Sequence, residues 1–221
     1  MRYHDQMKVR FRQGFFLFWA VLVLLQCAHA QGASKPVPKP SAKTSAKSHT
    51  PAAPDAGSIA GGVYHNSFFG FSYAIPYGWV DRTQEMQEGS ESGKSMALLS
   101  LFERPPEATE GNVNPAVVIA AESVDSYPGL TSAVQYFGPL TEVTLEGGFE
   151  VASGPDDFTV GSKQLQRGDY TKKVGTQTMY QASLVTLAKG YVVSFTFIGA
   201  TKDEVDRLIE NLSFGAKKSA K

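Results

Sequence analysis

The chain has 221 residues, with 21 Lys and Arg against 21 Asp and Glu, 42% hydrophobic residues and a single cysteine. That apolar share suits a globular protein, and a lone cysteine, Cys27, excludes an internal disulfide and a Cys-based zinc cluster. The zero net charge is an average over unlike segments: residues 1–30, 31–60 and 215–221 are each net +3, while 61–214 carries 10 Lys and Arg against 19 Asp and Glu, net −9. The first thirteen residues are polar and basic, Gly14 to Leu25 is nearly pure apolar, and Ala28-His29-Ala30 follows. This is the charged, apolar, small-residue order of a secretory signal, with cleavage expected between Ala30 and Gln31. The apolar run is short for a membrane span, which needs about 20 residues. Kept in place, it would make the protein a membrane-tethered envelope component. Cys27 follows Gln26, where a lipoprotein signal wants a small residue, so lipidation is disfavoured. Cleavage at Ala30 removes Cys27 and with it any cysteine chemistry.

Residues 31–60 are rich in Pro, Ala, Ser and Lys and hold almost nothing large and apolar. Such a segment buries too little surface to offset its ordering entropy, so a disordered linker is expected. Its lysines recur every four positions, at Lys35, Lys39, Lys43 and Lys47. Pro36, Pro38 and Pro40 oppose the helix on which they would share a face. The segment reads as a solvated tether, with contact to an anionic surface as the sharper alternative.

Folding is expected to begin near Val63 and to cover 61–214. Phe69, Phe71, Tyr73 and Ile75 alternate with Gly70, Ser72 and Ala74, the period of a strand with one bulky face, and Pro76-Tyr77-Gly78 stops it. Met96 to Phe102 and Ala116 to Ala121 read as strands buried on both faces. Thr131 or Ser132 starts a short helix through Val134 and Phe137, which Pro139 is expected to end. Gln164–Lys173, Thr176–Leu187 and Tyr191–Ile198 form a three-stranded antiparallel meander with turns at Gly175 and Lys189-Gly190. Then the period changes. Thr201 and Glu204 make a capping box, and Val205, Leu208, Ile209 and Leu212 form one helical stripe running to about Ser213. Strands and helices do not alternate, so an α+β fold is expected, an antiparallel sheet of about six strands flanked by helices.

Two segments resemble the PsbP-like family. The first is Gly70-Phe71-Ser72-Tyr73-Ala74-Ile75-Pro76-Tyr77-Gly78-Trp79, similar to that family's opening hairpin. The second is Asp203 to Phe214, similar to its last helix and terminal Ser-Phe. The resemblance implies an antiparallel sheet with helices on both faces. It also implies a non-catalytic role, since the better-known members are a lumenal photosystem subunit, exported bacterial proteins and a nuclear protein that binds a small GTPase. No partner- or ion-binding residue of the family maps onto a position here.

The search for chemistry yields no site. Of the four histidines only His65 falls within the expected domain, at its edge, where a triad is improbable. Gly89-Ser90-Glu91-Ser92-Gly93 has the glycines of a nucleophile elbow but Glu91 at its centre. Asp156 and Asp157, with Asp169, lack the spacing of a calcium loop, and Gly154 to Phe158 reads as a solvated turn. No phosphate-binding glycine loop is present. Trp79 and its aromatic neighbours read as core rather than a ligand groove, with Phe68 pointing away from Phe69. The expectation is therefore an exported, non-catalytic binding or accessory module with no catalytic, cofactor or metal residue. Its partner is a protein or an envelope component, and its acidic domain repels nucleic acid. The alternative is a hydrolase whose paired carboxylates meet only in space.

Overall fold

The computed structural model describes residues 54–88, 95–108 and 112–215. The expected signal segment 1–30, the linker as far as residue 53, the loop 89–93 and the tail beyond Gly215 lie outside them. Two antiparallel sheets dominate. The larger has seven strands in the order β4 (Val80–Asp81), β5 (Ser95–Phe102), β6 (Ala116–Ser123), β10 (Tyr191–Gly199), β9 (Gln177–Ala188), β8 (Lys163–Val174) and β7 (Glu150–Val160). The smaller has four, in the order β1 (Ser58–Ala60), β2 (Val63–Asn66), β3 (Phe71–Ala74) and β11 (Leu212–Phe214).

The alternation read from the sequence sorts β10 between two cores. Val193, Phe195 and Phe197 face one side with Ile119, Leu184 and Leu101, and there they meet Tyr64, Phe71 and Tyr73 of the small sheet. Helix α3 (Lys202–Glu210) adds Val205, Leu208 and Ile209 to the same core. On the opposite side Val192 and Val185 pack against Tyr136, Phe137 and Leu140 of helix α2 (Ala133–Glu146). A short helix α1 (Thr83–Glu88) sends Met86 onto Ala97 and Val118. The large sheet is thus covered on both faces, as the α+β expectation requires.

Several expectations need correction. The opening strand does not join the main sheet; it sits in the small one, so the sheet expected at six strands is a seven-stranded sheet under a four-stranded one. The fold starts earlier than Val63. Residues 58–60 pair with 63–65, Tyr64 Oη donates to Ala56 O at 2.8 Å and Asn66 Nδ2 to Asp55 O at 2.8 Å. Gly57, at φ +76°, lies under the Tyr64 ring, where a Cβ would fall 2.4 Å from the hydroxyl. Composition concealed this edge strand because three residues exposed on both faces are too few to show a hydrophobic period.

Pro139 does not end helix α2 but lies inside it. The proline removes one backbone bond. That loss is outweighed by burial of Tyr136, Phe137 and Leu140 and by Gln135, whose side chain accepts from the N–H groups of Thr131 and Ser132. Gly168 of β8 makes room for this helix, since a Cβ there would fall 2.6 Å from the Phe137 ring. Helix α3 is shorter than its stripe suggested. It stops at Glu210, and Leu212–Phe214 turns into β11 on β3, with Ser72 Oγ 2.8 Å from Ser213 Oγ. The segment 154–158, expected as a turn, runs within β7; exposure of nearly all of that edge strand hides its period. Among the described residues no helix is long and apolar enough to cross a membrane.

Candidate functional site

Strand β6 stays apolar from Ala116 to Ala121 and then places a carboxylate, Glu122, on the face that α2 covers. Beyond it Ser123 Oγ accepts from Asp125 N and caps a 3-10 turn over Val124–Ser126, which delivers Tyr127 back onto the sheet. Tyr136 reaches the same point from the second turn of α2. Tyr127 Oη donates to Glu122 Oε2, and Tyr136 Oη donates to Oε1 at 2.6 Å. The two phenol rings meet edge to face with centroids 5.2 Å apart. Glu122 is 8% exposed and Tyr136 is fully buried.

Burial disfavours the charged carboxylate and raises the Glu122 pKa; the two phenol donors oppose that rise without cancelling it. Tyr127 and Tyr136 are likewise raised, first by burial and then by the neighbouring carboxylate, so both remain protonated donors. The cluster can hold a proton and can fasten α2 and the 3-10 turn to the sheet. Both carboxylate oxygens are already engaged by protein donors.

The residues singled out from the sequence do not converge here. His65 is exposed on β2. Asp156 and Asp157 are exposed on β7, where Asp157 accepts from Gln166 Nε2. Asp169 is held by Arg167, whose Nη2 donates at 2.8 Å to it and at 2.8 Å to Asp206 of α3, with the guanidinium 5.1 Å above the Phe158 ring. Burial pulls the Arg167 pKa down, but the two carboxylates outweigh it and leave it raised. The loop carrying Ser90 and Glu91 lies outside the described residues. Phe71 and Tyr73 belong to the core as expected, whereas Phe69 and Trp79 are half-buried against it and Tyr77 is fully exposed. Phe68 does not point away from Phe69; their rings meet edge to face at 4.8 Å. Among the described residues no group of three His, Cys, Asp or Glu is placed to hold a metal ion.

Sequence reasoning passed over Glu122. The available signal was a single acid continuing an apolar strand, followed by tyrosines five and fourteen positions on. That spacing acquires meaning only once the chain doubles back.

No family model matches the chain, and no curated protein does. Solved structures are similar to it in fold. The solution structure of cyanobacterial PsbP (CyanoP) from Synechocystis sp. PCC 6803 is 16% identical, with a TM-score of 0.48 over 72% of this chain and 98% of that one. The crystal structure of LpqN, involved in cell envelope biogenesis of Mycobacterium tuberculosis, is 14% identical, with a TM-score of 0.34 over 66% of this chain and 83% of that one.

Proposed function

We propose that the chain is an exported, non-catalytic binding or accessory module. Residues 1–30 direct export, and the domain works by contact with a protein or envelope partner. The observation that carries this reading is the use made of Glu122. Its two oxygens accept from Tyr127 and Tyr136, so the buried acid is spent on fastening α2 to the sheet. The carboxylates named from the sequence are exposed or paired with Arg167, which leaves the surface as the working part. The acidic excess of 61–214 argues against nucleic acid as that partner. The test is cross-linking in the native compartment from a photoreactive residue placed at the exposed Tyr77. A discrete adduct on a chain whose intact mass begins at Gln31 is expected. A mass that includes residues 1–30 would remove the cleaved-signal part of the reading and leave a tethered protein.

A second reading, a hydrolase with a carboxylate-based site, draws on the raised pKa of Glu122. It requires turnover of an ester or glycoside that disappears in a folded Glu122→Gln variant. The module reading requires that the cross-linked adduct survive in that same variant.

A further inference from the structure

We infer that the end of the fold bearing Phe68 and Lys189 docks on a bilayer surface that carries anionic lipids. The inference rests on the export reading above and names the envelope surface concerned. Cross-strand register defines this end. Ser58, His65, Ser72 and Ser213 form one row across the small sheet. The chain comes in just below that row at Gly57 and leaves just below it at Gly215, whose N–H donates to Gly70 O at 3.2 Å. Both flanking segments are therefore attached at one end, on edge strands three spacings or about 14 Å apart.

The turn between β2 and β3, Ser67 to Gly70, lies at this end and carries Phe68. The hairpin Lys189-Gly190 between β9 and β10 meets it there. The Phe68 ring is 6.2 Å from that of Tyr191, and Lys189 Nζ stands 4.6 Å from the Phe68 centroid. Phe68 is half-buried and Lys189 exposed. The hairpin has positive φ at both residues, 51° at Lys189 and 82° at Gly190. Such two-residue turns favour Asn-Gly or Asp-Gly. A lysine there works against local stability, which marks a position held for another purpose.

Charge points the same way. Lys35, Lys39, Lys43 and Lys47 precede the point where the chain comes in, and Lys217, Lys218 and Lys221 follow the point where it leaves. Asp55 and Asp125 are also at this end, set against Lys189 and, at the turn between β7 and β8, Lys163, so the basic excess here comes from the flanking lysines. The opposite end mixes Glu103, Glu150 and Asp203 with Arg104, Lys173 and Lys202, and neither flanking segment attaches there. A soluble polyanion would satisfy the lysines alone. A bilayer satisfies the lysines through its surface potential and the Phe68–Tyr191 pair through its interface.

The test uses the full chain recovered from its native compartment and compares partition onto vesicles of phosphatidylglycerol mixed into phosphatidylcholine with partition onto phosphatidylcholine alone. Any contribution of residues 14–25, if they are retained, affects both vesicle types and cancels in the ratio. The ratio should exceed one and fall as salt rises. Lys189→Asn should lower it about fivefold, the weight of one lysine near an anionic surface, while raising the melting temperature because Asn suits the turn. Lys173→Asn, at the opposite hairpin, should leave the ratio unchanged. Phe68→Ser should weaken partition onto the mixed vesicles but not binding to inorganic polyphosphate. If that variant does not fold, the Lys189→Asn result decides alone. Equal effects of Lys189→Asn and Lys173→Asn overturn the inference, as does a ratio that neither variant changes. A cross-linked protein partner with no lipid preference also overturns it, and leaves the module reading standing.

Discussion

The hydroxyl of Tyr136 on helix α2 donates to Glu122 Oε1 on strand β6 at 2.6 Å, with both side chains closed off from water. This bond joins a helix to the sheet beneath it through a carboxylate that burial penalises when charged. Stability is therefore linked to pH. The folded state raises the Glu122 pKa, so the fold binds the proton more tightly than the unfolded chain does. The contribution is complete below the ordinary glutamate range and is lost as pH rises through the raised value. Urea titrations across acid and neutral pH should show Glu122→Gln gaining on the parent as pH increases. Parallel curves would mean that the carboxylate titrates in the fold as it does in the unfolded chain.

The tyrosines are predicted to behave in the opposite sense. Tyr136→Phe removes a donor from the charged form, so its cost should be largest at neutral pH, about 1.5–3 kcal/mol, and smaller in acid. Chemical denaturation at two pH values measures the difference.

Arg167 joins Asp169 on its own strand to Asp206 on α3. Asp206 is 42% exposed, so solvent screens that half of the bridge. Arg167→Met should cost about 1 kcal/mol and reduce the dependence of melting temperature on salt. An unchanged melting curve would show that the pair contributes geometry without stability.

Trp79 is half-buried, whereas Phe195 is fully buried between the sheets. Phe195→Ala should cost about 3–5 kcal/mol, and Trp79→Ala clearly less. Calorimetry on the pair tests the order. A larger loss at Trp79 would place the centre of the core at the turn after β3.

Trimming the N-terminus should stop before the first hairpin. A chain beginning at Pro54 retains the bonds from Tyr64 and Asn66 to Ala56 and Asp55, and one beginning at Gly61 loses both. The shorter chain should be less stable by about 1–3 kcal/mol, the cost of leaving buried polar groups without partners. Gly57→Ala in the full chain should destabilise in the same direction, because its Cβ meets the Tyr64 ring. Equal melting temperatures would show the hairpin to be ornamental.

The sequence by itself determined what depends on local period and composition: the meander β8–β10, the buried strands β5 and β6, the start of α3 at Thr201, the acidic domain between basic flanks, and the PsbP-like segments. Each is written in neighbouring residues, because side-chain alternation and helix capping act over a few positions. Tertiary structure alone decided the rest. It kept Pro139 inside α2, because Tyr136, Phe137 and Leu140 gain more from the sheet than one backbone bond costs. It moved the opening strand into a second sheet and cut α3 at Glu210, because β3 offers Leu212–Phe214 partners 139 to 143 positions away in sequence. It joined Glu122 to two tyrosines and set Lys189 over Phe68. Those pairings depend on where the chain returns to, and no local pattern of residues encodes the distance between two strands brought side by side.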